Sequence, residues 1–328
     1  MIKDLSKFSF LLFLSLTLVM TSCDDDDDEE PTPTPSGPTQ NIAELAAASP
    51  QFSILVEALT ATNLVDAVAA DGSMTVFAPN NDAFNEFFDD AGLIDDNGDG
   101  SRVDEAAAAL GADAVSELLL YHVIGSEIPA AAVTAQTYVS TSSTTSPEGD
   151  ALSLLAEPAN NTVWVNGGSG KGATVVTADI FATNGVIHEI DGVLELPSVV
   201  DHAIFNSNLT TLVGAVTTAD LVATLDTTSN ITVFAPDNNA FDQITVPTEV
   251  SELAAVLTYH VLGSQVRSGQ IPTDAPVATL NGGSLEFTVE NETTVIITDA
   301  NMNERTVVIA DVQGTNGVVH VIDGVLLP

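Results

Sequence analysis

Three blocks of sequence recur in the same order, and this duplication constrains the fold more than any other feature of the chain. Met74-Thr-Val-Phe-Ala-Pro-Asn-Asn-Asp-Ala-Phe84 is answered by Ile231-Thr-Val-Phe-Ala-Pro-Asp-Asn-Asn-Ala-Phe241, and Leu120-Tyr-His-Val-Ile-Gly-Ser126 by Thr258-Tyr-His-Val-Leu-Gly-Ser264. Asn184-Gly-Val-Ile-His-Glu-Ile-Asp-Gly-Val-Leu194 is answered by Asn316-Gly-Val-Val-His-Val-Ile-Asp-Gly-Val-Leu326. The chain of 328 residues therefore holds two copies of one unit, residues 41–197 and 198–328, joined near Leu196-Pro197-Ser198. The offset between copies falls from 157 (231 minus 74) to 138 (258 minus 120) to 132 (316 minus 184). The first copy thus carries 19 extra residues between its first two blocks and 6 between the last two.

Each copy begins helical and ends in strands. Phe52, Leu55, Val56, Leu59, Leu64, Val65 and Val68 recur at helical spacing, as do Leu209, Leu212, Val213, Val216, Leu221, Val222 and Leu225, which predicts helices with one buried stripe. Thr75 to Ala78 reads as a short strand stopped by Pro79, and the Asn and Asp residues that follow suit a turn and an N-cap for a helix through Phe84 and Phe88. Val115 to Tyr121 predicts a helix ending near His122. Leu280-Asn-Gly-Gly-Ser-Leu285 signals a hairpin, and Leu285–Val289 and Thr293–Thr298 alternate as strands do. The Asn184-Gly185 and Asp191-Gly192 pairs predict tight turns between strands. Helices gathered before strands give an α+β fold.

The blocks Thr-Val-Phe-Ala-Pro, Tyr-His-Val and Asn-Gly-Val-(Ile/Val)-His-x-Ile-Asp-Gly-Val-Leu resemble the fasciclin-like domain, also called FAS1 or BIgH3. The resemblance covers nearly all of the chain after residue 40. It implies two tandem domains, each a wedge-shaped β-sandwich with a helical layer, and an adhesion-type role outside the cell. In animal members the Tyr-His region is linked to receptor contacts. The resemblance carries that expectation to Tyr121 and His122 and to Tyr259 and His260.

The first residues read as an address. Lys3 and Lys7 precede an apolar run from Phe8 to Met20, which suits a signal-peptide core and is too short for a spanning helix. Met20-Thr21-Ser22-Cys23 resembles a bacterial lipoprotein signal, so residues 1–22 are expected to be removed and Cys23 lipidated. Asp24 to Glu30 is an acidic run, resembling the tag that sends some lipoproteins to the outer face of the outer membrane. The alternative is an acidic spacer on a periplasm-facing lipoprotein. The Pro/Thr-rich residues up to 40 complete a tether from residue 23. Cys23 is the single cysteine, which excludes an intrachain disulfide or a zinc cluster.

Charge narrows the partners. Six Lys and Arg stand against 46 Asp and Glu, a formal charge of -40 that repels a phosphate backbone, so nucleic acid is excluded. The same surface attracts divalent cations. Within the extra segment of the first copy, Asp95, Asn97 and Asp99 fall at positions 1, 3 and 5 of a calcium loop, with Gly100 at 6 and the carbonyl of Ser101 at 7. Ala106 occupies position 12, where a bidentate acid is usual, and Asp104 and Glu105 stand beside it. The alternative is a solvated acidic turn.

Four of the five histidines pair across the copies, His122 with His260 and His188 with His320, leaving His202 without a counterpart. None lies in a His-Glu-x-x-His arrangement, and Gly-x-Ser-x-Gly is absent from the chain. They are expected to be buried rings held by backbone partners. Trp164 is expected to be a packed strand residue, and Asn166 to Gly172 a hairpin loop. The sequence therefore predicts a non-enzymatic surface lipoprotein, binding an extracellular protein, a polysaccharide or another copy of itself. A ligand- or glycan-capturing lipoprotein serving an uptake system is the alternative.

Overall fold

Asn41 starts the first helix because its side chain accepts the Glu44 N–H while Glu44 caps the Asn41 N–H in return, and Ser198 and Asp201 repeat that capping box in the second copy. The computed structural model describes residues 37–328 apart from 96, 97, 99 and 169. The signal segment, Cys23 and the acidic run lie outside the described residues. Residues 38–328 form one compact unit that contains both copies.

In the first copy the helices are α1 (Ile42–Ala48), α2 (Ser53–Ala61), α3 (Val65–Ala69), α4 (Asn81–Asp90), α5 (Val103–Leu110) and α6 (Ala112–Tyr121). Its strands are β1 (Met74–Pro79), β2 (Val123–Ile124), β3 (Thr137–Ser140), β4 (Ser153–Ala159), β5 (Thr162–Val165), β6 (Ala173–Ala182) and β7 (Gly185–Ile190). The second copy repeats this with α7 (Val199–Phe205), α8 (Thr210–Thr218), α9 (Val222–Thr227), α10 (Asn238–Phe241) and α11 (Val250–Tyr259). Its strands are β8 (Ile231–Pro236), β9 (Val261–Leu262), β10 (Val277–Ala278), β11 (Ser284–Glu290), β12 (Thr294–Thr298), β13 (Glu304–Gly314) and β14 (Gly317–Ile322). α5 has no counterpart, and it falls in the 19-residue excess of the first copy.

Each copy builds one seven-stranded sheet, in the order β2-β1-β7-β6-β5-β4-β3 and its equivalent β9-β8-β14-β13-β12-β11-β10. β1 and β7 are parallel, as are β8 and β14, and all other pairings are antiparallel. The parallel pair is covered on both faces, which is why these strands read as unbroken apolar runs. Alternation along β1 sends Val76 and Ala78 toward the helices and Phe77 into the fold of the sheet. Each copy therefore has two cores, one under the helical layer and one inside the curled sheet. This is the α+β sandwich with a helical layer that the sequence predicts.

Two local expectations are corrected. The stripe from Phe52 to Val68 is not continuous: Asn63 adopts φ 57°, and Asp220 φ 56° in the second copy, ending one helix and starting the next. Asp191-Gly192 does not join two strands. It ends β7, and its carboxylate accepts the Thr174 N–H at 2.7 Å as the chain leaves the sheet. Asn184-Gly185 does turn β6 into β7.

Candidate functional site

The recurrent residues are the natural candidates for a site, and the structure uses them internally. Tyr121 and Tyr259 are fully buried, and His122 and His260 are 2% exposed. The Tyr121 hydroxyl donates to the Ser153 carbonyl at 2.8 Å and accepts from Asn166 Nδ2 at 2.9 Å. The Tyr259 hydroxyl donates to the Ser284 carbonyl at 2.7 Å and accepts the Ala300 N–H at 3.0 Å. Burial raises the pKa of both phenols. The four side chains to which the resemblance carries partner contact are buried, and the Tyr-His pairs brace the fold beneath its surface.

The histidines carry complementary partners that fix them neutral. His122 Nδ1 donates to the Leu118 carbonyl at 2.8 Å, and its Nε2 accepts the Leu194 N–H at 2.9 Å. His260 repeats this with Val256 and Leu326. His188 and His320 use the other tautomer, donating from Nε2 to Ile128 and Val266 and accepting from Asp179 and Asp311 on Nδ1. A second proton would confront a backbone N–H, and burial lowers the pKa of each ring, to about 4 for His122 and His260. His202 donates to the Gln313 carbonyl at 2.9 Å while its buried Nδ1 has no hydrogen-bond partner, and burial lowers it to about 4.

The other motif positions are also structural. Asn184 accepts the Ile42 N–H at 2.9 Å and donates to the Val68 and Ala70 carbonyls, tying two helical segments to the sheet. Asn316 does the same with Val199, Leu225, Asp226 and Thr228. A Cβ on Gly185 would lie 1.9 Å from the Met74 carbonyl oxygen, so only glycine lets β1 and β7 pair here. Thr75 and Thr232 donate to the Ser126 and Ser264 carbonyls, both at 2.7 Å, so the threonine hydroxyl ties the first block to the end of the Tyr-His block in each copy. The sequence reads Asn184 as a turn residue, and recurrence in both copies is the signal that marks Asn184 and Asn316.

The extra acidic segment holds together locally. The Asp95 carboxylate accepts the Gly98 N–H at 2.6 Å and the Gly100 N–H at 2.9 Å. Asn97 and Asp99 lie outside the described residues. Ser101 donates to Glu57, and Asp104 and Glu105 stand in the first turn of α5, a helix the sequence reading did not predict. Arg102 pairs with Asp89, donates to Asn85 at 2.6 Å, and lies 5.1 Å from the Phe88 ring centroid. Among the described residues, no group of three or more His, Cys, Asp or Glu is arranged to hold a metal.

Residues outside the repeated blocks join the copies. Arg267 donates to Asp150 at 2.7 Å and lies 3.7 Å from Glu148, and Lys171 reaches Asp201 at 3.0 Å. The Gln313 N–H donates to Ser153 Oγ at 2.9 Å, and Gln265 Nε2, which donates to Gln313 Oε1 within the second copy, also reaches Asp150 Oδ2 at 3.5 Å. Asn206 donates to the Tyr138 hydroxyl at 3.2 Å, while the Tyr138 ring meets His202 edge-on at 5.9 Å. Asn208 donates to Gln136 at 2.8 Å. Two of the four basic side chains among the described residues therefore span the copies. Trp164 lies on β5 and packs on Gly168, leaving no room there for a Cβ.

These features define a class, a tandem pair of α+β modules whose recurrent residues serve the scaffold and whose copies are fastened side to side. Residues 50–197 and 207–328 each match the Fasciclin domain family, and the chain belongs to it. The chain is similar to Protein sll1483 of Synechocystis sp., 37% identical over 139 residues that make up 40% of this chain and 73% of that protein. It is also similar to the Cell surface glycolipoprotein MPB83 of Mycobacterium bovis, 33% identical over 103 residues, 30% of this chain and 43% of that one. Among solved structures, a FAS1 domain pair from the insect cell adhesion molecule Fasciclin I aligns with a TM-score of 0.49 and 19% identity, over 87% of this chain and 98% of that chain.

Proposed function

We propose that this chain is a surface-displayed lipoprotein that mediates adhesion or matrix interaction by binding, without catalysis. Fasciclin domains are associated with cell adhesion and matrix interaction in related proteins. The observation that carries the proposal is the burial of all five histidines and of the recurrent tyrosines, which leaves the outer surface of two fastened modules as the part that meets other molecules. The name of MPB83, a cell surface glycolipoprotein, supports a lipid anchor at Cys23 and display outside the membrane. Two modules on one tether also gain avidity from weak sites.

Protease treatment of intact cells tests display: loss of the protein is expected, and protection would point instead to a periplasm-facing role. Deletion of the gene is expected to reduce aggregation or attachment, to an extracellular protein, a polysaccharide or a second copy; unchanged attachment counts against adhesion. Calcium assistance through Asp95, Asn97, Asp99, Ser101, Asp104 and Glu105 belongs to the same proposal. It fails if millimolar Ca2+ added after EDTA gives no heat and no rise in melting temperature.

A further inference from the structure

We propose that the second copy binds one uncharged hydrocarbon chain in a cavity between α7, α8, α9 and β8. The cavity has a volume of about 290 Å³, and Val199, Ala203, Val216, Leu225, Leu257, Phe234 and His260 are among the residues that line it. The equivalent space in the first copy, lined by the corresponding Ile42, Ala46, Leu59, Val68 and Leu119, is only about 20 Å³. The two sites thus share a lining position by position and differ in room. Side-chain size gives no single account of the difference, because Val199 and Val216 replace the larger Ile42 and Leu59 while Leu225, Val200 and Ile204 replace the smaller Val68, Ala43 and Ala47. The backing differs instead. In the first copy α5 packs against α2, and the second copy has no such helix behind α8.

The lining dictates the occupant. His260 has both ring nitrogens engaged, and Thr217 donates its hydroxyl to the Val213 carbonyl at 2.8 Å. With those groups committed, the cavity wall selects hydrocarbon over a polar ligand. A dry apolar cavity of roughly 150 Å³ in another protein admits benzene, so this volume suits a longer alkyl or acyl chain. Access runs past Ile204 and Val222, which are 54% and 37% exposed although apolar. The excess of acids over Lys and Arg disfavours an anionic head at that rim, and Ile204 and Val222 there supply no ion partner for a charged head of either sign.

The test titrates the full chain with N-phenyl-1-naphthylamine, an uncharged apolar fluorophore, and competes it with 1-decanol. Saturable binding at one site per chain, displaced by decanol, is expected. Ala203→Leu and Val216→Phe, which fill the cavity, are expected to weaken binding about tenfold or more. Ala203→Leu is also expected to keep or raise the melting temperature, whereas Ala46→Leu at the equivalent tight site lowers it and leaves binding unchanged. Several results would overturn the proposal: no saturable binding, no competition by decanol, binding indifferent to both filling variants, or a loss of melting temperature in Ala203→Leu matching that in Ala46→Leu. A dimer in solution that Ile204→Asp converts to monomer would overturn it too, because the rim would then be covered by a second copy.

Discussion

Asp150 of the first copy accepts a hydrogen bond from Arg267 of the second at 2.7 Å, and the Arg267 side chain also lies 3.7 Å from Glu148. In a chain with so few cations this pair is a specific fastening between modules. Both partners keep some solvent exposure, so the pair is worth less than a buried one. A double-mutant cycle with Asp150→Ala and Arg267→Ala is expected to return a coupling of about 0.5–1 kcal/mol in urea unfolding. The coupling is expected to shrink as salt is raised. A coupling indistinguishable from zero at low salt would remove the pair from the fastening.

Asn316 satisfies a buried N–H and donates to backbone carbonyls from three separate residues. Asn316→Ala leaves those groups without their partner in a region closed to water, an expected loss of about 2–4 kcal/mol. Asn184→Ala is expected to do the same in the first copy. Thermal and urea denaturation of the full chain measure it, and a change under about 0.5 kcal/mol would mean that water replaces the side chain.

Two glycines make opposite predictions. Gly185→Ala places a Cβ against the Met74 carbonyl, where only separation of β1 from β7 relieves the clash, so the first copy is expected to lose its fold. Gly214 lies inside α8, and a Cβ added there would meet no atom within 4 Å. Gly214→Ala is expected to stabilise by about 0.5–1 kcal/mol, since glycine is a poor helix former. Soluble yield and melting temperature of the two variants decide the matter.

The sequence revealed the architecture because the same internal positions were needed twice. Thr75 and Thr232, Asn184 and Asn316, and the paired histidines hold one set of backbone partners in each copy, so recurrence marked them. What the recurrence could not say was that these residues face inward. The break at Asn63 was hidden because apolar spacing runs through it and only a left-handed backbone residue marks the turn. The junction was hidden for the opposite reason. Tyr138, Gln136, Asn206 and Asn208 lie outside the three recurrent blocks, and only the fold brings them together. The cavity in the second copy was illegible because it depends on how far helices stand apart, which side-chain size alone does not fix.

The histidines give the pH dependence a sign. Each is held neutral in the folded chain, with its pKa lowered by burial, to about 4 for His122, His202 and His260. In the unfolded chain they titrate near the ordinary value of about 6.5. Between those values the unfolded state binds more protons, so stability rises with pH. Their contribution is present above about pH 6.5 and is lost as pH falls, for His122, His202 and His260 toward 4 and at up to roughly 3 kcal/mol for each of those three rings. The interval from pH 6.5 to 5 lies inside that window. Urea unfolding across that interval is expected to show falling stability. The His122, His202 and His260 ring resonances of the folded protein are expected to stay those of the neutral ring down to about pH 5. A folded-state midpoint near 6.5 for His122 or His260 would contradict the bonds from Leu194 and Leu326 that hold their Nε2 atoms as acceptors.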